Sequence, residues 1–281
     1  MNRSFIKMHG LGNDFVIIDN RDSGALPDER SRRLIADRHR GVGCDQLIVL
    51  LPPRHPEATL FMGIYNPDGS EAGACGNATR CVGRLLCEET GQERVVIQTV
   101  SGLLPTTITK DGVIAVDFGP PRLDWQQIPL AIATDTLHVP LNRDDIPNPC
   151  CVSVGNPHAV FFVPDVAAIN LSAVGPALET NAMFPDRANI EFAQILNRDH
   201  IRMRVWERGA GITQACGSAA CATLVAAVRR GLADRQAIIT LDGGDLGVAW
   251  REDGHVILSG PAALAFHGVF SEELWASVGA E

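Results

Sequence analysis

The chain has 281 residues, long for one ordinary compact domain and suited to two domains of about 140 residues each. Its 24 Lys+Arg and 33 Asp+Glu give a formal net charge of −9, which argues against a basic face for nucleic acid. Hydrophobic residues make up 46% and charged residues 20%, a globular composition, and no apolar run approaches the length of a membrane span. The opening MNRSFIKMHG has no secretory apolar stretch, so a cytoplasmic address is expected and the eight cysteines read as thiols.

Taken in order, Gly12-Asn13 leads into a β-rich run, Phe15-Val16-Ile17-Ile18. Glu29, Arg30, Arg32 and Arg33 read as a solvated helix face. Ile64-Tyr65-Asn66 precedes Ala74-Cys75-Gly76-Asn77-Ala78, which opens a helix ending at Gly91. Val95-Val96-Ile97 is again β-like, and Lys110-Asp111-Gly112 reads as a hairpin turn. Gly119-Pro120-Pro121 interrupts both helix and central strand.

The same landmarks then return in the same order, offset by 140 to 143 residues. Gly155-Asn156 precedes Ala159-Val160-Phe161-Phe162, and Val205-Trp206-Glu207 precedes Ala215-Cys216-Gly217-Ser218-Ala219. The helix after Cys216 ends at Gly231, and Ala237-Ile238-Ile239, Asp253-Gly254 and Gly260-Pro261 follow. An ordered series of matches is the signature of internal duplication. It predicts an N-terminal domain over 1–118 with the tail 262–281 returning to it, and a C-terminal domain over 119–261. Cys221 to Val228 has almost no polar face, so each half is expected to enclose its helix in β-structure. The expected class is α/β (α+β), two pseudo-symmetric domains with a small-molecule site in the cleft between them.

A cysteine at a helix start meets unpaired backbone N–H groups and a partial positive charge. That setting favours the thiolate, and Gly76, Asn77, Gly217 and Ser218 offer N–H groups to a carboxylate. Two such starts suit a two-base racemase, in which one thiolate removes an α-proton and the opposite thiol returns one. The only lysines are Lys7 and Lys110, which leaves few anchors for pyridoxal phosphate; no cofactor and no metal are expected. The spacings Cys75–Cys81 and Cys216–Cys221 are wider than most structural zinc pairs. Cys44, Cys81, Cys87, Cys150, Cys151 and Cys221 read as buried small hydrophobes.

The chain resembles the diaminopimelate epimerase family in pieces spread over nearly its whole length. These are Gly10-Leu11-Gly12-Asn13-Asp14-Phe15, Gly43-Cys44-Asp45-Gln46, Asn66-Pro67-Asp68-Gly69-Ser70-Glu71 and Cys75-Gly76-Asn77-Ala78-Thr79-Arg80-Cys81. The second half adds Gly155-Asn156-Pro157-His158, Arg187-Ala188-Asn189-Ile190-Glu191-Phe192, Glu207-Arg208-Gly209-Ala210-Gly211 and Ala215-Cys216-Gly217-Ser218. The resemblance implies two domains, each an antiparallel sheet around a central helix. It implies pyridoxal-independent interconversion of LL- and meso-diaminopimelate, with Cys75 and Cys216 as the acid/base pair and His158 and Glu207 tuning them. Asn13, Gln46, Asn66, Asn156, Asn189 and Arg208 are similar to the family's substrate-binding set. Arg208 suits the distal carboxylate of a small diamino diacid, and Glu207 an ammonium. Ala78 and Ala219 stand where the family usually has glycine, and Ile212 where it usually has glutamate. Phe266 falls where some relatives place a dimer-contact tyrosine, so a homodimer is expected. A sibling racemase for another amino acid and a non-enzymatic carboxylate-binding protein remain as alternatives at this stage; a thiol-redox protein lacks a Cys-x-x-Cys.

Overall fold

The computed structural model describes residues 3–73, 75–109, 111–141, 143 and 145–279. Ala74, ahead of the first helix, and Lys110, at the expected hairpin turn, lie outside the described residues. The chain divides into two compact units, Met1–Val116 with Pro261–Glu281, and Asp117–Gly260.

The N-terminal unit runs β1 (Ser4–Gly10), β2 (Asn13–Asp19), α1 (Glu29–Ala36), β3 (Gln46–Leu51), β4 (Leu60–Tyr65), α2 (Gly76–Thr90), β5 (Arg94–Thr99), β6 (Gly102–Ile108) and β7 (Ile114–Asp117). The C-terminal unit runs β8 (Cys150–Ser153), β9 (Pro157–Phe162), α3 (Leu171–Glu179), β10 (Asn189–Asn197), β11 (His200–Glu207), β12 (Gly211–Ile212), α4 (Gly217–Arg229), β13 (Gln236–Leu241), β14 (Gly244–Trp250) and β15 (Val256–Gly260). The tail forms β16 (Ala263–Val269), antiparallel to β1, and α5 (Glu272–Gly279), which packs against α1.

Duplication is visible in the pairing itself. From β1 to β7 the successive pairs are antiparallel, parallel, antiparallel, parallel, antiparallel and antiparallel. From β8 to β15, with the short β12 hanging on β11, the series is the same. A parallel pair cannot be closed by a tight turn, so each needs a crossover. In both units helices occupy those crossovers: α1 and α3 the first, α2 and α4 the second. The sheets are thus largely antiparallel, with two parallel neighbours each.

α2 packs against β1, β5 and β6, and α4 against β8 to β11 and β13 to β15. Ten residues of α4 are buried, from Gly217 to Ala227, as its almost wholly apolar sequence requires. The far face of the C-terminal sheet is apolar too, with Phe161 and Phe192 stacked at 5.0 Å beneath α3. Both buried helices stop at a glycine in the left-handed region, Gly91 (φ 68°) and Gly231 (φ 70°).

Ala78 and Ala219, the departures from the family's glycine, are fully buried in the first turns of α2 and α4. Neither has positive φ, so alanine is tolerated there. Close approach does demand a glycine further along α2. A Cβ on Gly83 would lie 2.4 Å from Cγ2 of Thr106 on β6. Overpacking of this kind costs about 1–3 kcal/mol. Gly83→Val is therefore expected to lower unfolding free energy by about that amount in a urea titration. A variant as stable as the parent would contradict this packing.

Candidate active site

In the N-terminal unit, strand polarity gathers the predicted residues. β1 and β2 are joined by the two-residue turn Leu11-Gly12, with φ of 55° and 86°, the left-handed pair a tight hairpin needs. That turn delivers Asn13 at the start of β2. Gln46 opens β3, parallel to β2, and Asn66 follows the end of antiparallel β4. All three therefore lie at one end of the sheet. α2 begins after β4, with Cys75 at its N-cap and Gly76 and Asn77 in its first turn.

Two hydrogen-bonded groups result. Gln46 Nε2 donates to Asn66 Oδ1 at 3.2 Å, and Asn66 Nδ2 donates to Ser70 Oγ at 3.1 Å. Gln46 Oε1 is buried and has no hydrogen-bond partner among the described residues. In the second group the direction of every amide is fixed by a charge at each end. The fully buried Arg80 donates from Nη2 to Asn77 Oδ1 (2.8 Å), and Asn77 Nδ2 donates to Asn13 Oδ1 (3.1 Å). Asn13 Nδ2 donates in turn to Asp45 Oδ2 at 3.0 Å. A guanidinium only donates and a carboxylate only accepts, so neither asparagine can flip without losing a bond. Asn13 Oδ1 is thereby presented to Cys75 Sγ at 3.9 Å.

Behind this end Asp14 meets Lys7 at 2.5 Å and Arg38 at 2.6 Å, and Arg38 also holds Asp45 at 2.7 Å. Lys7, one of the two lysines, is committed to this ion pair and to the carbonyl of Gly43. Burial raises the Asp14 carboxyl, but hydrogen bonds from Arg38 and Lys7 outweigh it and hold it at about 2.

In the C-terminal unit, His158 on β9, Glu191 on β10 and Glu207 on β11 share one face of three neighbouring strands. The register sets Val160 opposite Glu191 and Glu191 opposite Val205, so residues two positions away stay on that face. It is the face covered by α4, whose N-cap is Cys216. His158 and Glu191 are wholly buried, and Cys216 is 7% exposed.

His158 Nε2 lies 2.9 Å from Asn156 Oδ1, Asn156 Nδ2 donates to Ser218 Oγ at 3.3 Å, and Ser218 Oγ lies 3.5 Å from Cys216 Sγ. Glu207 is hydrogen-bonded to the Cys216 thiol and accepts from Thr213. Asn189 and Arg208 form a separate group. Asn189 Nδ2 donates to the Pro157 carbonyl (2.9 Å) and its Oδ1 accepts from the Arg208 N–H (2.9 Å). The exposed Arg208 side chain reaches the Asp186 carbonyl at 3.0 Å. Ile212 is 40% exposed on β12, opposite Trp206 of β11.

One expectation from the sequence is reversed for Cys216. A helix start favours thiolate, and here the Ala219 N–H and the Ser218 hydroxyl do pull the pKa down. Burial, followed by the neighbouring Glu207 charge, pushes it well above the usual thiol value. Burial likewise pushes the Glu207 carboxyl up. The ligand-free protein therefore holds Cys216 as a thiol. Glu191, Asp45 and Arg80 went unselected by the sequence reading. The signal for Glu191 was a lone carboxylate in an otherwise apolar strand segment, Ile190-Glu191-Phe192.

The diaminopimelate epimerase family profile matches residues 5–123 and 150–265. A diaminopimelate epimerase of Rhodospirillum centenum is 59% identical over 274 residues, covering 98% of this chain and 94% of that one. Another, from Acidiphilium cryptum, is 54% identical, with 95% of each chain covered. Among solved structures, a probable proline racemase from Agrobacterium radiobacter superposes with a TM-score of 0.71 at 17% identity, covering 98% of this chain and 95% of that one. A hydroxyproline epimerase from Agrobacterium vitis gives 0.68 at 16% identity, covering 98% and 93%. These two share the fold.

Two predictions follow from the charges. Asp14 titrates lower in the folded chain than its ordinary 3.8, so its stabilising contribution is complete above that value and is lost as pH falls through about 2. A carboxyl carbon titration should place its midpoint near 2; a midpoint near 4 would contradict the ion-pair cluster. Alkylation of Cys216 by iodoacetamide in the ligand-free protein should be slow at neutral pH, slower than that of a free cysteine, because the thiolate is the nucleophile; rapid labelling at neutral pH would contradict the burial of the thiol.

The matched profile and the curated relatives place the chain in the diaminopimelate epimerase family of isomerases.

Proposed function

We propose that this chain interconverts LL- and meso-diaminopimelate, in lysine and cell-wall precursor synthesis, using two thiols and no cofactor. One observation carries the thiol assignment: in both copies of a duplicated unit, cysteine is the N-cap of the buried helix. Serine, threonine, aspartate or asparagine ordinarily fills that position.

The reaction asks each thiol to serve one face of the α-carbon. A thiolate takes the α-proton and becomes a thiol; the opposite thiol gives its proton to the carbanion and becomes a thiolate. No electrons are gained or lost, and the roles exchange in the reverse direction. An amino-acid α-proton is weakly acidic, so the charge that develops on removing it must be stabilised. The first-turn N–H groups at Gly76, Asn77, Gly217 and Ser218, at the positive ends of the helix dipoles, supply that stabilisation to the substrate carboxylate. Cys216, holding its proton in the ligand-free state, enters as the acid when Cys75 starts as the base. When Cys216 acts as base, Glu207 stands ready beside it to accept the thiol proton. His158 tunes thiol protonation in the same reaction. Asn13, Gln46, Asn66, Asn77, Asn156 and Asn189 bind the substrate's polar groups, the unpartnered Gln46 Oε1 being suited to an ammonium. Arg208 takes the distal carboxylate, the contact that separates a diamino diacid from an ordinary amino acid.

We also read the chain as a cytoplasmic homodimer. Its cysteines are free thiols, the state of a reducing compartment. β16 pairs with β1 on one side, and Leu264, Phe266 and Val269 on it are 41%, 49% and 69% exposed. Such an apolar edge strand is normally covered.

Each assignment has its own test. Reduced protein with LL-diaminopimelate and EDTA should form the meso isomer. Cys75→Ser and Cys216→Ser should each lose about 100-fold or more in turnover, the ordinary contribution of a general acid or base. Full turnover in either variant would contradict the pair, and activity only on another amino acid would contradict the substrate. Phe266→Asp should sediment as a monomer where the parent sediments as a dimer; equal masses would contradict the β16 contact.

A further inference from the structure

Glu191, the buried partner of His158, has no part in the scheme above. Glu191 and His158 are both fully buried, with Oε1 and Nδ1 2.7 Å apart. The second carboxyl oxygen of Glu191, Oε2, is buried without a hydrogen-bond partner among the described residues. Oε1 is thus the Glu191 oxygen that meets the histidine ring, and backbone N–H groups at Ala159 and Glu191 also favour its carboxylate.

That bond decides the direction of every hydrogen bond beyond it. Asn156 Nδ2 faces Ser218 Oγ, so Asn156 Oδ1 faces the ring and Nε2 must be the donor. Ser218 Oγ, having accepted from Asn156, still has its own proton to give, and Cys216 Sγ lies 3.5 Å away to receive it. With Nε2 protonated, the remaining proton of the pair lies between Nδ1 and Glu191, whichever atom holds it. Burial pushes the Glu191 carboxyl up, which helps to keep that proton within the pair. If Nε2 lost its proton instead, Asn156 would turn over, and Ser218 would have to donate to Asn156 and leave the sulfur.

We propose that Glu191 is a positioning residue for the epimerisation: it holds His158 in the Nε2–H form and so, through Asn156, aims the Ser218 hydroxyl proton at the Cys216 sulfur. This rests on the assignment of Cys216 as an acid/base thiol. A hydroxyl aimed at the sulfur stabilises the thiolate at the moment the thiol gives up its proton. The arrangement follows the logic by which a buried carboxylate sets the tautomer of a working histidine.

The test joins a spectrum to kinetics. In protein with ¹⁵N-labelled histidine, the His158 ring should show a protonated Nε2 in the parent and a mixture of ring forms in Glu191→Leu. Leucine should lower kcat by about 100-fold with KM within about threefold, the upper range for a group that orients a working side chain. Glu191→Gln, whose amide can still donate to Nδ1, should keep Nε2–H and recover kcat to within about tenfold of the parent. A parent spectrum with bare Nε2, or a folded leucine variant turning over within about threefold of the parent, would overturn the proposal. Parent protein inactive on diaminopimelate would sink the substrate assignment instead, and the ring spectrum would still decide the role of Glu191.

Discussion

The structure depends on two helices that begin inside the protein. A helix start presents backbone N–H groups that must be met by an acceptor, and burial removes water as that acceptor. The first residues of α2 and α4, Gly76 and Gly217, are buried, and at both N-caps stands a cysteine, a weak hydrogen-bonding group, in place of a hydroxyl or carboxylate side chain. The fold thus offers positive helix ends beside two ionisable sulfurs. The Arg80–Asn77–Asn13 chain leads to one of those sulfurs and the His158–Asn156–Ser218 chain to the other.

The two units solve the same problem differently. In the N-terminal unit, direction is imposed by fixed charges: Arg80 only donates, Asp45 only accepts, and Asn77 and Asn13 are held between them. In the C-terminal unit, direction depends on protons that can move, between Glu191 and His158 and between Glu207 and Cys216. The strand pairing is duplicated faithfully while the side chains around the two sulfurs have diverged. A reaction in which two thiols exchange roles does not require their surroundings to match.

Much of the fold could be read from the sequence because duplication leaves an ordered trail. The Gly-Asn turns, the cysteine helix starts, the left-handed Gly91 and Gly231, and the apolar run of α4 all carry local signals. The cysteines stood out for the same reason. What stayed hidden depended on depth and on strand register. Glu191 sits between Ile190 and Phe192, and only its position opposite Val160 and Val205 turns it toward α4 and His158. Asp45 was overshadowed by Gln46 beside it, and its bond to Asn13 depends on β2 and β3 being adjacent. The direction of the Cys216 pKa was also beyond the sequence. The helix start argues one way, and the burial and the Glu207 charge that outweigh it exist only in the folded unit.

In the proposed reaction two separate thiols handle the proton, one at each face of the α-carbon. This is tested most directly by following label in D₂O from a single stereoisomer under initial-rate conditions. Two thiols predict that the first product molecules carry α-deuterium while the recovered starting isomer remains protiated. Deuterium entering the starting isomer as fast as the product, or product that keeps the original proton, would point to one shuttling base and contradict the account.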